Sequence, residues 1–377
     1  GGPAGPGAGA GLPATPEEAA AQRERARRQQ RSAEYELQME LLGEAEVLCA
    51  TTITAGSEFL SKFTFEAILI DEAAQATELS TIVPLIQRGT QRLVLVGDHC
   101  QLPPSVMSWE AETRGLSMSL YSRMVGNGVE PYFLNTQYRS HPKIAEFSAF
   151  EFYGGLLRSG TTSSERPAVR GFAWPSAEAP VCFLDLAAAE RREGESRANE
   201  GEVRRVVAAV AGVLAGGELG VRDVGVVTPY QSQVRLLRRA LREALAQQSW
   251  ARRGQGFEAK YLEVASVDAF QGREKELIVF SAVRSNPRGN VGFLADWRRL
   301  NVMLTRARRG LIIVGHAATL THDPFWQQFL SWCEDHGCIV PCPAEEAEPQ
   351  PQPQPWPRPQ PAARAPRLVP PWQRKKK

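Results

Sequence analysis

The chain has 377 residues, of which 43% are hydrophobic and 23% are charged, as in a globular protein of about two domains. No apolar run reaches the roughly 20 residues of a membrane helix, so we expect no membrane segment. The net charge of +2 excludes a uniformly basic surface, and any nucleic-acid site should therefore be a local stripe.

The cysteines and the first residue bear on where the protein works and how complete it is. The six cysteines do not form the dense framework of a secreted domain, and no signal peptide is visible. We therefore expect a reducing compartment, the cytoplasm or also the nucleus. The sequence begins with Gly1 instead of Met, and we expect a truncated part of a longer chain.

Both ends of the chain have a biased composition. Residues 1–16 are rich in Gly, Ala and Pro, and we expect them to be disordered. Residues 17–45 carry many charges, which predicts a solvated helix; contact of its arginines with phosphates is the alternative. Residues 343–377 are rich in Pro and Gln, which predicts a disordered tail. Its basic end is either solvated or a nuclear-localisation or RNA-contact patch.

Between these ends, short β-branched runs alternate with amphipathic stretches. This pattern predicts parallel strands joined by helices, an α/β fold. A break near residues 126–136 predicts a first domain over 46–134 and a second over 135–342. The predicted strands are EVLCAT, EAILID, RLVLVGD, CFLDL, VGVVTP, YLEVASV, ELIVFSAV and LIIVG.

Two adjacent carboxylates, Asp71 and Glu72, follow the apolar run ILI. Ligands of open parallel sheets bind outside the carboxyl ends of the strands, and neighbouring carboxylates repel unless a cation offsets them. A nucleotide with Mg²⁺ would supply that cation. Asp71 would hold the metal largely through water, and Glu72 would deprotonate the attacking water. Taken alone, the pair also fits a helix N-terminus that favours acidic residues.

The next predicted strand is followed by GDHCQLPP. The neutral amide of Gln101 at such a turn would bond both a γ-phosphate oxygen and a neighbouring group, and would thereby sense the phosphate. The alternative is a Gly-Asp turn in a loop stiffened by Pro103 and Pro104.

Two segments of the second domain carry arginines suited to phosphoryl transfer. LNTQYRSHP contains Tyr138 and Arg139, and RRLNVMLTRARRG contains Arg306. Charge that develops on a γ-phosphate needs cations, and an arginine from a second domain supplies one when the domains close. Arg139 and Arg306 are the candidates, and Tyr138 would stack on the base. For Arg306, with its neighbours Arg308 and Arg309, a basic surface helix is the alternative.

The segment VDAFQGRE lies between two apolar strands. Gly272 permits close approach of the backbone to a ligand, and Glu274 would accept a hydrogen bond from a ribose hydroxyl. A polar loop is the alternative.

Six motifs follow one another between residues 71 and 308: DEAAQATE, GDHCQLPP, QYRSHP, VTPYQ, VDAFQGRE and RRLNVMLTRAR. In this order they resemble motifs II to VI of superfamily 1 helicases, above all the up-frameshift RNA helicases of nonsense-mediated decay. Relatives of that group are the immunoglobulin-μ-binding and senataxin-like helicases. The resemblance implies two RecA-like domains of the P-loop NTPase fold with parallel sheets, the first of them incomplete. It implies ATP between the domains and nucleic acid across them.

The resemblance also implies a role for each matching residue. The implied catalytic residues are Glu72, Gln101, Arg139 and Arg306, with Asp71 as the Mg²⁺ ligand and Tyr138, Gly272 and Glu274 on the nucleotide. The hydroxyls implied to contact the nucleic-acid backbone, without reading sequence, belong to Thr51, Thr228 and Ser266.

The chain departs from this family in two places. No G-x-x-x-x-G-K-[ST] phosphate loop occurs, which we ascribe to truncation, and we expect the chain as printed not to hydrolyse ATP. Ser140 stands where the family has Met, and we expect this difference to matter little. A cluster of three cysteines and a histidine in WCEDHGCIVPC is too tightly and irregularly spaced for a usual structural zinc site.

The sequence therefore predicts an ATP-dependent, monomeric helicase or translocase that uses Mg²⁺ and acts on single-stranded RNA, with decay or RNP proteins as partners. A DNA helicase of the immunoglobulin-μ-binding type is an alternative, because GDHCQ favours the first group and QLPP the second. An ATPase-deficient nucleic-acid-binding or scaffold protein that retains the fold is the other alternative.

Overall fold

The computed structural model describes residues 15–247 and 259–343. The disorder predicted for residues 1–14 and 344–377 lies outside these residues. The described chain forms two compact units. The first unit contains residues 15–71 and 78–95, and the second contains residues 72–77 and the described residues from 96 onward.

The first unit has a short parallel sheet and three α-helices among its described residues. Ile68 of one strand lies opposite Leu93 of the other. Residues 46–51 form no strand where the sequence predicted one, because no described strand pairs with them, and Val47 is exposed. The elements are α1 Pro16–Glu44, α2 Thr52–Ala55, β1 Ala67–Ile70, α3 Glu78–Arg88 and β2 Arg92–Leu95.

The second unit holds most of the regular structure. Its strands are β3 Thr136–Gln137, β4 Arg158–Ser159, β5 Val181–Leu186, β6 Arg191–Glu193, β7 Ser196–Ala198, β8 Val224–Thr228, β9 Glu263–Ser266, β10 Lys275–Ser281, β11 Ala307–Gly315 and β12 Ile339–Cys342. Its helices are α4 Trp109–Thr113, α5 Leu120–Gly126, α6 Pro142–Glu151, α7 Glu200–Ala215, α8 Gln231–Gln247, α9 Val267–Phe270, α10 Trp297–Leu304, α11 Ala317–Leu320 and α12 Pro324–Asp335.

Six of these strands form one sheet in the order β12-β5-β11-β10-β8-β9, and every pairing is parallel. The middle residues of its central strands β10 and β11 are apolar because helices cover both faces. Val279 and Ile312 pack with α7 and α8 on one face, and Phe280 and Ile313 pack with α6, α10 and α12 on the other. The predicted α/β fold with parallel sheets is thus confirmed.

The units do not divide at the predicted boundary near residue 134. Residues 96–134 belong with the second unit, where Cys100 and Leu102 lie in the same buried cluster as Phe147 and Phe152. The assignment of 46–134 and 135–342 to separate domains stays a prediction. None of the helices in the described part of the chain is long and apolar enough to span a bilayer.

Candidate functional site

The predicted catalytic base has an unusual backbone. Glu72 has a φ of 51°, in the left-handed region that residues other than glycine rarely adopt. Its carboxylate accepts a hydrogen bond from Gln75 Nε2. The Ala73 amide donates to the Val96 carbonyl at 2.8 Å, and a Cβ at Gly97 would lie only 2.8 Å from Ala74 N. Close backbone packing therefore fixes this strained carboxylate, a combination typical of functional sites.

Gln101, the predicted phosphate sensor, is held by its own loop. Its Nε2 donates to Asp98 Oδ2 at 2.8 Å, and Tyr153 donates to the same oxygen at 2.5 Å. Asn301 of α10 donates to the Cys100 carbonyl at 2.9 Å and so joins the loop to α10. This network leaves Gln101 Oε1 to accept a hydrogen bond.

Arg306 is that donor, and its burial rules out the basic surface helix that was its alternative. Its side chain is 2% exposed, and its Nη2 lies 3.4 Å from Gln101 Oε1. Its Nε donates to the Val302 carbonyl at 2.9 Å, and Nη2 donates to Thr305 Oγ1 at 2.9 Å. Arg308 and Arg309 are not helical either, because both lie on β11.

Arg139 and Glu274 meet in the structure. Arg139 Nε donates to Glu274 in an ion pair, and Nη1 donates to the Thr305 carbonyl at 3.0 Å. The carbonyl of Arg139 accepts a hydrogen bond from Arg166 at 3.0 Å. Glu274 thus holds Arg139 in place. Its predicted hydrogen bond from a ribose hydroxyl stays a prediction.

The electrostatics of Arg306 are those of an anion site. Burial, followed by the neighbouring charge of Arg139, lowers the pKa of Arg306 from its ordinary value to about 10, and Glu72 opposes this shift. Arg306 still carries its charge at neutral pH. It bonds carbonyls, a hydroxyl and an amide, but no carboxylate among the described residues lies within ion-pair distance of it. A buried cation without a direct counter-ion is costly, and a bound anion would offset that cost.

Tyr138 presents an accessible ring near this cluster. It is 66% exposed, and Gly160 packs so closely on the ring that a Cβ there would overlap it. Arg166 donates to the Tyr138 carbonyl at 3.0 Å and fixes the backbone beneath the ring. The exposed ring is compatible with the predicted stacking on a base.

Gly272 is required for its backbone, and not for a tight contact within the described chain. Its φ is 75°, and a Cβ would meet nothing within 4 Å. The open space is compatible with the predicted approach of a ligand, a role that stays a prediction.

The hydroxyls predicted to contact nucleic acid divide between the units. Thr228 ends β8 and lies opposite Ser266, which ends β9. Thr228 Oγ1 is buried without a hydrogen-bond partner among the described residues, whereas Ser266 caps α9 by accepting from Ala269 N at 3.4 Å. Thr51 belongs to the first unit, where its Oγ1 caps α2 by accepting from Thr54 N at 3.2 Å.

The predicted nucleotide residues and the predicted nucleic-acid residues of the second unit lie at opposite ends of the strands of the large sheet. Glu274 and Arg306 precede β10 and β11 directly, so they lie at the amino ends of these strands. Thr228 and Ser266 lie at the carboxyl ends of β8 and β9. Asp71 directly follows β1 in the first unit, as the sequence predicted.

Sequence reasoning missed a buried polar network behind the carboxyl ends of the strands. Glu202 of α7 accepts from Ser281 Oγ at 2.6 Å and from the Val283 amide at 2.8 Å. Val283 has a φ of 70°, and Asn199 donates to its carbonyl at 3.2 Å. The one signal for this network was N-x-x-E at the start of α7, which is typical of a capping pair and gives no hint that Glu202 is buried.

The cysteine-histidine cluster forms no metal site among the described residues. His336 Nδ1 lies 2.8 Å from the Trp332 carbonyl, and its ring stacks on Trp332. Burial raises the pKa of the Cys338 thiol to about 11, which disfavours the thiolate that zinc needs. The one described group with metal-ligand geometry is Asp98, His99 and Cys100. Both oxygens of Asp98 already accept hydrogen bonds.

Comparison with known families agrees with these observations. A profile of the AAA domain matches residues 116–318, more than half of the chain, and a second AAA-domain profile matches residues 12–109.

Curated relatives extend the agreement. The chain is 40% identical over 309 residues to a Regulator of nonsense transcripts 1 homolog of Arabidopsis thaliana, which is 81% of this chain and 24% of that protein. It is 40% identical to the Drosophila melanogaster homolog, over 86% of this chain and 27% of that protein. It is 39% identical to ATP-dependent helicase upf1 of Schizosaccharomyces pombe, over 80% of this chain and 32% of that protein. The chain thus spans about a quarter to a third of the length of these relatives.

Among solved structures, an arterivirus nonstructural protein 10 helicase matches 67% of this chain and 40% of its own, with 13% identity and a TM-score of 0.33. A likeness this weak carries no argument about function. The similarity to these regulators of nonsense transcripts agrees with the up-frameshift resemblance of the ordered motifs, and the chain belongs to the AAA-domain family.

Proposed function

We propose that this chain is the motor region of an ATP-dependent helicase or translocase that moves on single-stranded RNA. ATP would bind against the cluster of Glu72, Gln101, Arg139 and Arg306. Nucleic acid would bind at the carboxyl ends of strands β8 and β9 of the large sheet. Partner proteins of RNA decay or RNP complexes belong to the same proposal.

The observation that carries the proposal is the buried charge of Arg306, which forms no ion pair within the described part of the chain. Arg306 lies near Arg139, and its Nη2 lies 3.4 Å from Gln101 Oε1, so that two guanidinium groups and one neutral amide lie together. A terminal phosphate suits this cationic site, because guanidinium groups stabilise the charge that develops in phosphoryl transfer. Glu72 contributes to the same electrostatic cluster and would remove a proton from the attacking water.

Mg²⁺ is proposed as the metal, with Asp71 as its protein ligand. A carboxylate at the end of a parallel strand suits a hard cation that keeps most of its water. When bound, Mg²⁺ neutralises phosphate charge. The protein's own part is to hold Asp71 directly after β1 and Glu72 in its strained conformation.

RNA is favoured over DNA because the curated relatives are named for nonsense transcripts. Thr228 and Ser266 support a nucleic-acid contact at the carboxyl ends of β8 and β9, because these two hydroxyl residues lie opposite each other where the strands end. Such backbone contacts carry no sequence information, as a motor requires.

The test is RNA-stimulated ATP hydrolysis by the complete product of the gene, because the printed sequence contains no phosphate loop. Glu72→Gln should lower kcat by about 10³-fold or more while ATP still binds, since the base is lost and the shape is kept. Glu178→Gln, at an exposed loop position, is the matched control and should leave kcat unchanged.

Retained turnover in Glu72→Gln would remove the assignment of the base. RNA binding without hydrolysis by the complete product would favour the ATPase-deficient scaffold. Stronger stimulation of hydrolysis by single-stranded DNA than by RNA would favour the DNA helicase.

A further inference from the structure

A basic groove of about 650 Å³ runs along β9, which ends the large sheet in the described part of the chain. α8 forms one wall of the groove. Its polar lining is Arg238, Arg242, Lys260, Tyr261, Glu263 and Arg273.

α8 turns a stripe of arginines toward solvent beside this groove. The arginines recur every three or four residues, which puts them on one face of the helix. The opposite face packs in the core through Leu237, Leu241 and Leu245. The stripe consists of Arg235, Arg238, Arg239 and Arg242, and all four are exposed.

Most of this charge has no carboxylate partner. Arg239 pairs with Glu243 at 2.9 Å. Arg235 donates only to the Ser232 hydroxyl at 2.8 Å, and Arg242 has no ion pair among the described residues. Like charges on neighbouring helical turns repel, so an anionic ligand would stabilise the stripe.

Two contacts argue against an added β-strand and against base stacking. Arg238 donates twice to the Val264 carbonyl, at 3.0 and 2.7 Å, so a peptide pairing with β9 would have to displace it. The ring of Tyr261 is covered by Arg222 at 4.1 Å and Lys260 at 5.0 Å. What remains available is positive charge, which recognises phosphates without regard to sequence.

We propose that this groove binds the phosphate backbone of the single strand on which the motor acts, an inference that rests on the proposed function. Ala265 in the groove wall precedes Ser266, so a strand held at Thr228 and Ser266 continues into the groove. From Arg235 to Arg242 the stripe is about 10 Å long, enough for two or three phosphates. A concave groove admits one flexible strand more readily than a stiff duplex.

The test measures binding of a fluorescent oligo(U) of about 20 nucleotides to the printed chain at several salt concentrations. Arg235→Gln with Arg242→Gln should weaken binding roughly tenfold at moderate salt and reduce the salt slope by about 1.4, since each phosphate contact contributes about 0.7. Arg204→Gln with Arg205→Gln removes the same charge from α7, outside the groove, and should change neither value. In the unaltered chain, oligo(U) should protect Arg235 and Arg242 from phenylglyoxal.

Each of the following outcomes would contradict the proposal that the groove binds the single strand. Equal affinities for both double variants, or no protection of Arg235 and Arg242, would show that the strand runs elsewhere. Competition by polyglutamate as strong as by oligo(U) would indicate an acidic protein partner, and tighter binding of a matched duplex would contradict the single strand. Failure of the RNA-binding part of the proposed function looks different, because the unaltered chain would then not bind oligo(U) at all, whereas failure of its motor part is seen in ATP hydrolysis and not in this binding assay.

Discussion

Glu202 shows what a single buried carboxyl does to the stability of this protein. Burial raises its pKa from 4.5 to about 8, although Ser281 and the Val283 amide donate hydrogen bonds that oppose the shift. The folded chain therefore keeps a proton that the unfolded chain releases between these values. Stability should consequently fall as pH rises from about 4.5 to about 8, and then level off.

Glu202→Gln should abolish this dependence, because its neutral amide does not titrate. The free energy of unfolding, from urea titrations at pH 5.5 and 8.5, should fall with pH by a few kcal/mol more in the unaltered chain than in the variant. Glu200→Gln removes an exposed carboxylate of the same helical turn and is the control. The same pH dependence in all three proteins would place the titration elsewhere.

At the scale of elements, the apolar strands buried in the sheets were predictable, whereas the short polar strands were not, and the strand predicted over 46–51 is absent. VGVVT, ELIVFS and LIIVG are apolar because both faces of their strands are buried, so β8, β10 and most of β11 follow from the sequence. The predicted strand LIIVG misses the start of β11, because Ala307 to Arg309 carry two arginines, which lie in partly buried ion pairs. The strand order depends on pairings between residues that are distant in sequence, and local sequence patterns do not predict such pairings.

The site divides in the same way. The ordered motifs named Glu72, Gln101, Arg139 and Arg306, and these four form one electrostatic cluster. The pairing of Arg139 with Glu274 was not foreseen, because the two are far apart in sequence. The strain at Glu72 and Val283 was also hidden, since neither residue type favours a positive φ.

The packing of the DEAA turn against the GDHCQ turn should tolerate no side chain at Gly97. Gly97→Ala puts a Cβ 2.8 Å from the Ala74 backbone nitrogen, which must then move. We expect a loss of about 1–3 kcal/mol in urea unfolding. Gly126→Ala is the matched control, because nothing lies within 4 Å of its added Cβ and alanine favours the helix there. Equal stability of the two variants would contradict the close packing.

At the scale of the whole molecule, one unit carries two separate sets of polar groups. Glu274 and Arg306 of the proposed nucleotide site lie at the amino ends of β10 and β11, and Thr228 and Ser266 lie at the carboxyl ends of β8 and β9. The length of the strands separates them, so ATP and nucleic acid would not compete for one surface. A substitution at the amino ends of β10 and β11 should therefore leave the binding of nucleic acid at the carboxyl ends of β8 and β9 unchanged.

The most direct test of the proposed role of Arg306 is the turnover of Arg306→Gln in the complete gene product. We expect a kcat about 10³-fold lower, because a transition-state charge is lost, with RNA affinity unchanged. We also expect a melting temperature that does not fall, since the variant removes a buried cation that has no ion pair among the described residues. Unchanged turnover in a folded variant would contradict the claim that Arg306 binds the terminal phosphate.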